Sequence, residues 1–322
     1  MIFSTHPLHP DVTARLAAAG SYVVATAPTA QAIMAEGLAA EVLIVRANIP
    51  PEYFVQARGL RAAVRHGAGL DMVPMQAATE AGVLVANVPG ANAATVAEHA
   101  LFAAMALRRQ FRAMDIALRE KGWAAGRAFA DSGRELQGAV FGIVGMGNIG
   151  RNLTRIVQQG FGLQVISSTR RPETLPPGVM PVSTDDLAAK ADIIVLCCPL
   201  TDATRGLMSA ARIATMRPGA VLINVARGPV VDTAALIDAL RQGQIGGAAL
   251  DVFDTQPLPD DSPLWDIPNV ILTPHMAGIT AQSMLRMGQV SADETMRILA
   301  NDLPLNFCNP LVEAAYRKRF PA

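Results

Sequence analysis

Three glycines of this chain stand at the spacing Gly-x-Gly-x-x-Gly, which in the right context binds phosphate groups. Gly145, Gly147 and Gly150 follow an apolar run typical of a strand and open a predicted helix from Ile149 to Gln159. There the first glycine allows a tight turn, the second lets the backbone approach a pyrophosphate, and the third lets helix and strand pack closely. The helix N-terminus faces the phosphates. The pattern and its neighbours together predict a dinucleotide site.

The residues at the end of the next predicted strand indicate which dinucleotide is bound. NAD-selective sites usually place Asp or Glu there to hold the ribose 2′-hydroxyl. This chain has hydroxyl and guanidinium side chains instead, namely Ser168, Thr169, Arg170 and Arg171. The first carboxylate after them is Glu173. The arginines can pair with a 2′-phosphate and the hydroxyls can hydrogen-bond it, so we expect NADP(H) to be preferred, with NAD(H) possible. The alternative is that both arginines only cap a solvated turn.

Two stretches of the chain alternate short apolar strands with helices, a pattern typical of parallel α/β sheets. The first stretch reaches about residue 90, and its predicted strands are Ile2–Ser4, Tyr22–Thr26, Val42–Arg46, Ala62–Arg65 and Val83–Val88. In the second stretch the predicted strands are Val140–Gly145, Gln164–Thr169, Asp192–Cys198, Ala220–Val225, Ala248–Val252 and Asn269–Thr273. These six are rich in Val, Ile and Leu rather than alternating, as expected of strands buried on both faces.

Helical patterns connect the two stretches. One long helix is predicted from Ala93 to Lys121 and a second from Ala281 to Ala300, after which the C-terminal tail returns to the first domain. We therefore expect an α/β protein with two Rossmann-like or flavodoxin-like parallel-sheet domains. The cofactor domain, residues 94–281, is inserted into a discontinuous substrate domain formed by residues 1–93 and 282–322.

Composition narrows the possible partners. The 322 residues suggest about two domains, and a 51% hydrophobic content suffices for sizeable cores. Lys+Arg and Asp+Glu both number 27, so no overall field attracts nucleic acid, and an anionic ligand needs a local site. No apolar run approaches the ~18 residues of a membrane span. Cys197 and Cys198 are adjacent in an apolar run, and no Cys and His residues have zinc-ligand spacing. We expect a cytoplasmic protein with reduced thiols and no metal, membrane or nucleic acid partner.

A series of ordered motifs resembles those of the D-isomer-specific 2-hydroxyacid dehydrogenase family over nearly the whole chain. Besides the glycine pattern they read RHGAGLD (65–71), PGANAATVAEH (89–99), PLTDATRG (199–206), NVARGPVVD (224–232), DVFDTQPLP (251–259) and TPHMAG (273–278). The resemblance implies hydride transfer between nicotinamide C4 and C2 of a 2-keto or 2-hydroxy acid. It also implies a homodimer, since the family commonly dimerises near the long helix.

The resemblance assigns the catalytic roles to three residues. Arg227 matches the family arginine, whose guanidinium grips a carboxylate and polarises the ketone. His275 matches the acid/base histidine, because an imidazole gives and takes protons near neutrality. Gln256 stands where most members have Glu. Its amide oxygen can still accept from the ring but carries no charge. We therefore expect ketone reduction, which needs the protonated ring, to decline from a lower pH than in the family.

The resemblance also assigns binding residues. Ala68 and Gly69 would hold the substrate carboxylate through their backbone N–H groups, and Asn92 would either bind substrate or cap the helix that follows. Arg46 ends a predicted strand and, with Arg65, would suit a substrate with a second anion, unless it is only a solvated strand end. The further cofactor contacts implied are Thr95, Asn148, Ile149, Cys198, Pro199, Thr204, Val225, Ala226, Asp251, Ala277 and Gly278 beside His275.

Four functions remain open. The first is an NADP(H)-preferring reductase of a small anionic 2-keto acid such as glyoxylate or hydroxypyruvate. The second is a dehydrogenase of a doubly anionic hydroxyacid such as phosphoglycerate, which Arg46 and Arg65 favour. A formate dehydrogenase is third, because that branch also pairs Gln with His. The fourth, a nucleotide-sensing binding protein without turnover, is disfavoured by the presence of both Arg227 and His275.

Overall fold

The chain forms two compact units in its computed structural model, which describes residues 1–321. The outer unit comprises Met1–Asn92 and the segment from Ile279 to the end of the described chain. The inserted unit is Ala93–Gly278.

The outer unit is built on five parallel strands. Its first segment alternates strands with helices in the chain order β1 (Ile2–Ser4), α1 (Pro10–Ala19), β2 (Tyr22–Val24), α2 (Ala30–Glu36), β3 (Val42–Val45), α3 (Pro51–Gln56), β4 (Ala62–Arg65), α4 (Met75–Glu80) and β5 (Leu84–Ala86). The strand order is β2-β1-β3-β4-β5, the flavodoxin-like order. The central strand β3 is fully buried, which explains its uninterrupted apolar sequence.

The inserted unit opens with three helices and continues into a larger sheet. The helices are α5 (Ala93–Arg108), α6 (Phe111–Lys121) and α7 (Trp123–Arg127). The sheet and its helices follow as β6 (Val140–Val144), α8 (Asn148–Phe161), β7 (Gln164–Ser168), β8 (Val179–Pro181), α9 (Thr184–Lys190), β9 (Ile193–Leu196), α10 (Ala210–Thr215), β10 (Val221–Asn224), α11 (Thr233–Arg241), β11 (Gly247–Leu250) and β12 (Val270–Leu272). Short 3-10 helices lie at Pro172–Thr174, Gly228–Val230 and Pro263–Asp266.

This sheet is doubly wound. Its strand order is β12-β11-β10-β9-β6-β7-β8, and every pair is parallel. The predicted fold class, α/β with two parallel-sheet domains, is confirmed. Six strands were expected here and seven are present. The additional strand, β8, has only three residues at the sheet edge, Met180 is exposed and Pro181 ends it, so it carries almost no apolar signal.

The single helix expected from Ala93 to Lys121 is wrong, because the structure has two. The first, α5, ends at Arg108, and Gln110 adopts a left-handed backbone with φ 49° before α6 begins. One reason lies in tertiary contacts of α6. Arg112 donates to the backbone carbonyls of Pro268 and Val270, both at 3.2 Å, which ties α6 to the start of β12. No Gly or Pro marks the break, so the local sequence could not reveal it.

The chain then returns to the outer unit through α12 (Ala281–Leu299), a 3-10 helix at Pro310–Val312 and α13 (Glu313–Arg319). The buried carboxylate of Glu294 on α12 accepts from the backbone N–H groups of Leu305, at 2.8 Å, and Asn306, at 2.9 Å. Asn309 accepts from the backbone N–H of Val85 at 2.8 Å, alongside β5. The tail is thus fastened to the edge of the five-stranded sheet. Within residues 1–321, every helix is too short or too polar for a bilayer crossing.

Candidate active site

The glycine turn after β6 is shaped by steric contact. Gly145 has φ 93°, and a Cβ there would lie 2.8 Å from the backbone nitrogen of Cys198. A Cβ on Gly150 would collide with the carbonyl oxygen of Gly145. At Gly147 a Cβ would meet only open space. Gly145 therefore lets the turn pass close to the segment after β9, and Gly150 lets α8 pack against the turn. Gly147 leaves room where a ligand can approach the N-terminus of α8.

A cavity of about 450 Å³ lies beside this turn. Its lining includes Gly147 and the segment Ser168–Arg171, and Ser168 Oγ lies 2.8 Å from Oγ1 of Thr184, which also lines the cavity. Pro199 and Thr204 form another wall, where the Thr204 hydroxyl donates to the Pro199 carbonyl at 2.7 Å. Among the described residues, the lining contains neither Asp nor Glu. The cavity therefore offers hydroxyls and guanidinium groups at the end of β7 and no carboxylate to repel an added phosphate.

The neighbouring cysteines are poor nucleophiles. Burial raises the pKa of the Cys197 and Cys198 thiols, so both stay protonated near neutral pH. Neither forms a disulfide in the described part of the chain. They line the cavity as small neutral side chains.

The segments that follow β10, β11 and β12 are hydrogen-bonded to one another in series. Asp251 donates its backbone N–H to the carbonyl of Asn224 at 3.1 Å, and His275 donates its own to the carbonyl of Asp251 at 2.8 Å. The three strands are adjacent and parallel, so their carboxyl ends meet at one edge of the sheet. That edge carries Arg227, Gln256 and His275, the three residues predicted to be catalytic.

Asn224 holds the segment that carries Arg227. Its side chain is buried, donates to the Arg227 carbonyl at 3.0 Å and accepts from the Ala226 N–H at 3.0 Å. Gly228 then passes so close to the backbone of Phe253 that no Cβ fits. In the sequence Asn224 is only the first residue of the motif at 224–232, whereas in the structure its side chain fixes the backbone on both sides of Ala226 before the arginine.

Asp251 organises the turn that carries His275. Its buried carboxylate accepts from the Thr273 hydroxyl at 2.6 Å, the Met276 N–H at 2.7 Å and the Ala277 N–H at 3.0 Å. His275 lies between these anchors with a left-handed φ of 56°. A non-glycine residue adopts this conformation only where its surroundings impose it, and the three bonds supply that constraint. The resemblance had pointed only to a cofactor contact for Asp251.

His275 and Gln256 are in contact through their side chains. The distance from His275 Nδ1 to Gln256 Oε1 is 3.2 Å, and Gln256 Nε2 donates to the Phe253 carbonyl at 3.4 Å. The carbonyl of Phe253 attracts the amide nitrogen, so the amide oxygen is turned towards the ring. The neutral ring then carries its proton on Nδ1, and Nε2 is the nitrogen that exchanges a proton.

His99 on α5 extends this network. Its Nε2 lies 3.5 Å from the Thr273 hydroxyl, which itself donates to Asp251. Burial lowers the pKa of His99, and the Asp251 carboxylate opposes part of that effect. No local pattern indicates this role of His99, because its neighbour Thr273 is 174 residues away along the chain. Thr95, one turn earlier on α5, is buried.

In the outer unit, the residues predicted to bind substrate follow adjacent strands. Arg46 comes directly after β3, and Ala68 and Gly69 lie in the loop after β4. Asn92 lies past β5, immediately before α5. Arg46 donates to the Pro7 carbonyl at 2.6 Å, so its side chain is half-buried rather than extended into solvent, and burial lowers its pKa. These residues share the carboxyl edge of the five-stranded sheet.

Fold and site together define a dinucleotide-binding α/β protein. Residues 101–277 match the family model described as D-isomer specific 2-hydroxyacid dehydrogenase, NAD binding domain. The chain is 34% identical over 265 residues to a glyoxylate reductase of Korarchaeum cryptofilum, covering 81% of this chain and 80% of that one. The chain belongs to the D-isomer specific 2-hydroxyacid dehydrogenase family.

Two further similar proteins are named for different substrates. The chain is 38% identical over 270 residues to the D-3-phosphoglycerate dehydrogenase of Mycobacterium bovis, covering 82% of this chain and 50% of that one. It thus spans about half the length of that relative. A crystal structure of an NADPH-dependent glyoxylate/hydroxypyruvate reductase from Sinorhizobium meliloti superposes with a TM-score of 0.84 at 26% identity, covering 96% of this chain and 98% of that one.

One pH dependence follows from His66, which is buried after β4. Burial, and next the charge of Arg46, lower the pKa of His66 to about 4. As pH falls below 6.5, the ordinary pKa of histidine, His66 binds a proton in the unfolded chain but stays neutral in the folded chain. The contribution of neutral His66 to the free energy of unfolding is therefore complete above pH 6.5 and decreases as pH falls towards 4. We expect His66 to reduce the free energy of unfolding by about 2 kcal/mol between pH 7.5 and pH 5.

Urea unfolding at these two pH values measures the effect. His66→Gln should show a smaller loss on acidification than the unsubstituted protein, by about that amount. His9→Gln, which removes a less buried histidine of the same unit, is the matched control and should keep the full loss. An acid-induced loss in His66→Gln equal to that of the unsubstituted protein would contradict the assignment.

Proposed function

We propose that this protein is an NADP(H)-preferring D-2-hydroxyacid dehydrogenase that reduces a small 2-keto acid of the glyoxylate or hydroxypyruvate type. The observation that carries the proposal is that the segments after β10, β11 and β12 are hydrogen-bonded in series. These segments carry Arg227 and place His275 in contact with Gln256. The relatives named glyoxylate reductase support the substrate class.

The residues around the glycine turn fit a dinucleotide. Gly147 leaves open space before α8, where the pyrophosphate would lie against helix N–H groups from Asn148 onward. Ser168, Thr169, Arg170 and Arg171 would hold a 2′-phosphate in the adjacent cavity. The other contacts proposed are Thr95, Ile149, Cys198, Pro199, Thr204, Val225, Ala226, Asp251, Ala277 and Gly278.

The chemistry divides among three side chains. A bound nicotinamide supplies the hydride that reaches C2 of the keto acid. Arg227 binds the substrate carboxylate and polarises the ketone, so that its guanidinium also stabilises the negative charge that develops on the oxygen. His275 donates the proton from Nε2 to that oxygen, while its Nδ1–H remains hydrogen-bonded to the amide oxygen of Gln256. Ala68 and Gly69 add backbone donors for the carboxylate, and Asn92 adds an amide.

A screen of the purified full chain tests this function. It pairs NADPH and NADH with glyoxylate, hydroxypyruvate, pyruvate and phosphohydroxypyruvate, and NADP⁺ and NAD⁺ with formate. We expect the highest kcat/KM with NADPH and glyoxylate or hydroxypyruvate. His275→Asn should lower kcat about 10²–10⁴-fold, the usual contribution of a general acid, with NADPH affinity retained. If NADPH binds and none of the five substrates reacts, the result favours a nucleotide sensor instead.

A second candidate is a dehydrogenase of a doubly anionic hydroxyacid. Positive charge is concentrated at the carboxyl edge of the outer sheet. Burial, and then the positive charges of Arg46 and Arg65, lower the pKa of His6 in the same unit. The phosphoglycerate dehydrogenase relative points the same way. The screen separates the two, because this enzyme would prefer phosphohydroxypyruvate and lose that preference in Arg46→Met.

The cofactor preference is tested at the end of β7. Each arginine that pairs with a 2′-phosphate contributes about 1.5–3 kcal/mol, so Arg170→Ala with Arg171→Ala should raise the KM for NADPH at least about tenfold. The KM for NADH should change little. Arg155→Ala, on the exposed face of α8, is the matched control. A double variant that keeps its NADPH KM would show that both arginines only face solvent.

The amide beside His275 sets a second pH dependence. In Gln256→Glu a carboxylate replaces the amide oxygen 3.2 Å from the ring and stabilises its protonated form. The basic limb of the kcat/KM profile for ketone reduction should therefore move upward by about 1–3 pH units. Gln242→Glu adds the same charge at the exposed end of α11 and should leave the profile in place. A Gln256→Glu profile that coincides with the unsubstituted one, with chemistry rate-limiting, argues against this role.

We also propose a homodimer. Phe102, Met105, Phe111 and Trp123 expose large apolar side chains on α5, α6 and α7, a surface that a second copy would cover. A single-chain mass in light scattering would contradict this assembly.

A further inference from the structure

The loop that follows β4 has every carbonyl of three successive residues engaged. The Gly67 carbonyl accepts from the Val88 N–H at 2.9 Å. The Ala68 carbonyl accepts from the Asn87 side chain at 2.7 Å, and the Gly69 carbonyl accepts from Arg65 Nε at 3.1 Å. Three donors, from two different parts of the outer unit, therefore determine how each of these peptide planes is turned.

The orientation of the carbonyls determines that of the amides. In a trans peptide the C=O and the N–H of the next residue point in opposite directions. The N–H groups of Ala68, Gly69 and Leu70 are therefore turned away from Val88, Asn87 and Arg65. Within residues 1–321, none of these three amides donates to the backbone or to a side chain. Successive backbone N–H groups of a turn that donate to no other group can together bind an anion.

Arg65 does more than hold one carbonyl. Its Nη1 donates to the His66 carbonyl at 2.5 Å and to the Val45 carbonyl at 3.2 Å, so one guanidinium joins the end of β3 to both ends of the loop. A Cβ on Gly67 would lie only 3.2 Å from this guanidinium, which shows how tightly the loop folds over it. A planar fork with five N–H donors can span three acceptors, whereas a lysine ammonium is a single point charge.

We propose that Arg65 and Asn87 are positioning residues, which orient the N–H groups of Ala68, Gly69 and Leu70 as an anion site for the substrate carboxylate. The assignment of that anion to a 2-keto acid rests on the proposed function. Arg65 acts through the backbone and also places a positive charge behind the site. Asn87 is a neutral donor. Substituting Asn87 therefore changes the geometry of the loop without removing a charge, whereas substituting Arg65 can change both.

Steady-state kinetics of the full chain distinguish positioning from simple structural support. Arg65→Lys keeps the charge but loses the three-way contact, and it should raise the KM for the preferred 2-keto acid about tenfold or more, with kcat within threefold. Asn87→Ala should raise KM in the same sense, by about three- to tenfold. The Kd for NADPH, measured by fluorescence, should stay constant in both. Arg58→Lys, an exposed arginine of the same unit, is the matched control.

Oxamate, an unreactive analogue of a 2-keto acid, reports on the site without turnover. In the presence of NADPH it should shift the backbone amide NMR signals of Ala68, Gly69 and Leu70, and these shifts should be weaker in Arg65→Lys at equal concentration. Unchanged KM in both folded variants, or a loss of kcat without a change in KM, overturns the proposal. If Arg65→Lys fails to fold, Asn87→Ala decides the question.

The two proposals fail in different ways. If the unsubstituted protein reduces none of the 2-keto acids, the proposed function is wrong, and the oxamate titration still decides on the anion site. Shifts at the three amides then support it, and their absence overturns it. Turnover without those shifts leaves the proposed function in place and removes the anion site.

Discussion

The buried carboxylate of Asp251 is the group on which the catalytic edge of the inserted unit depends. Burying a charge is costly unless hydrogen bonds compensate it, and here one hydroxyl and two backbone N–H groups do so. Those same bonds hold His275 at a positive φ. Any relaxation of the turn would leave the carboxylate unsatisfied, and this makes the conformation of the histidine nearly obligatory. The contact with Gln256 follows from that constraint.

The outer unit uses the opposite charge for the same purpose. There the Arg65 guanidinium gathers three carbonyls, whereas Asp251 gathers N–H groups. In both units a charged side chain forms several hydrogen bonds to backbone groups at the end of a strand or in the loop after it. Parallel sheets collect such loops at their carboxyl edge, which is why open α/β proteins bind ligands there. The sheet fixes where the loops begin, and the loops carry the side chains and backbone groups that can contact a ligand.

Family membership and local chemistry together narrow the function. The family supplies the reaction type, and Arg227 and His275 are the residues that we propose for its catalysis. The cavity beside the end of β7 is lined by guanidinium groups and, among the described residues, by no carboxylate, and this supports the proposal of a phosphorylated dinucleotide. Gln256 preserves the hydrogen bond to the histidine but removes the charge. In the proposed mechanism, proton transfer therefore depends on the ring itself more than it would beside a glutamate.

Local signals in the sequence determined much of this protein. Glycine spacing, apolar runs and strand-end residues predicted the fold class and the dinucleotide turn, and the motifs that resemble the family pointed to the residues proposed for catalysis, because each of these signals lies within a short segment. Contacts between distant segments decided the rest. Gln110 interrupts the expected long helix where α6 is tied to β12, and Asn224, Asp251 and Asn87 owe their roles to groups on other loops. Such roles depend on which backbone groups the finished sheet leaves without partners, and only the tertiary structure sets that.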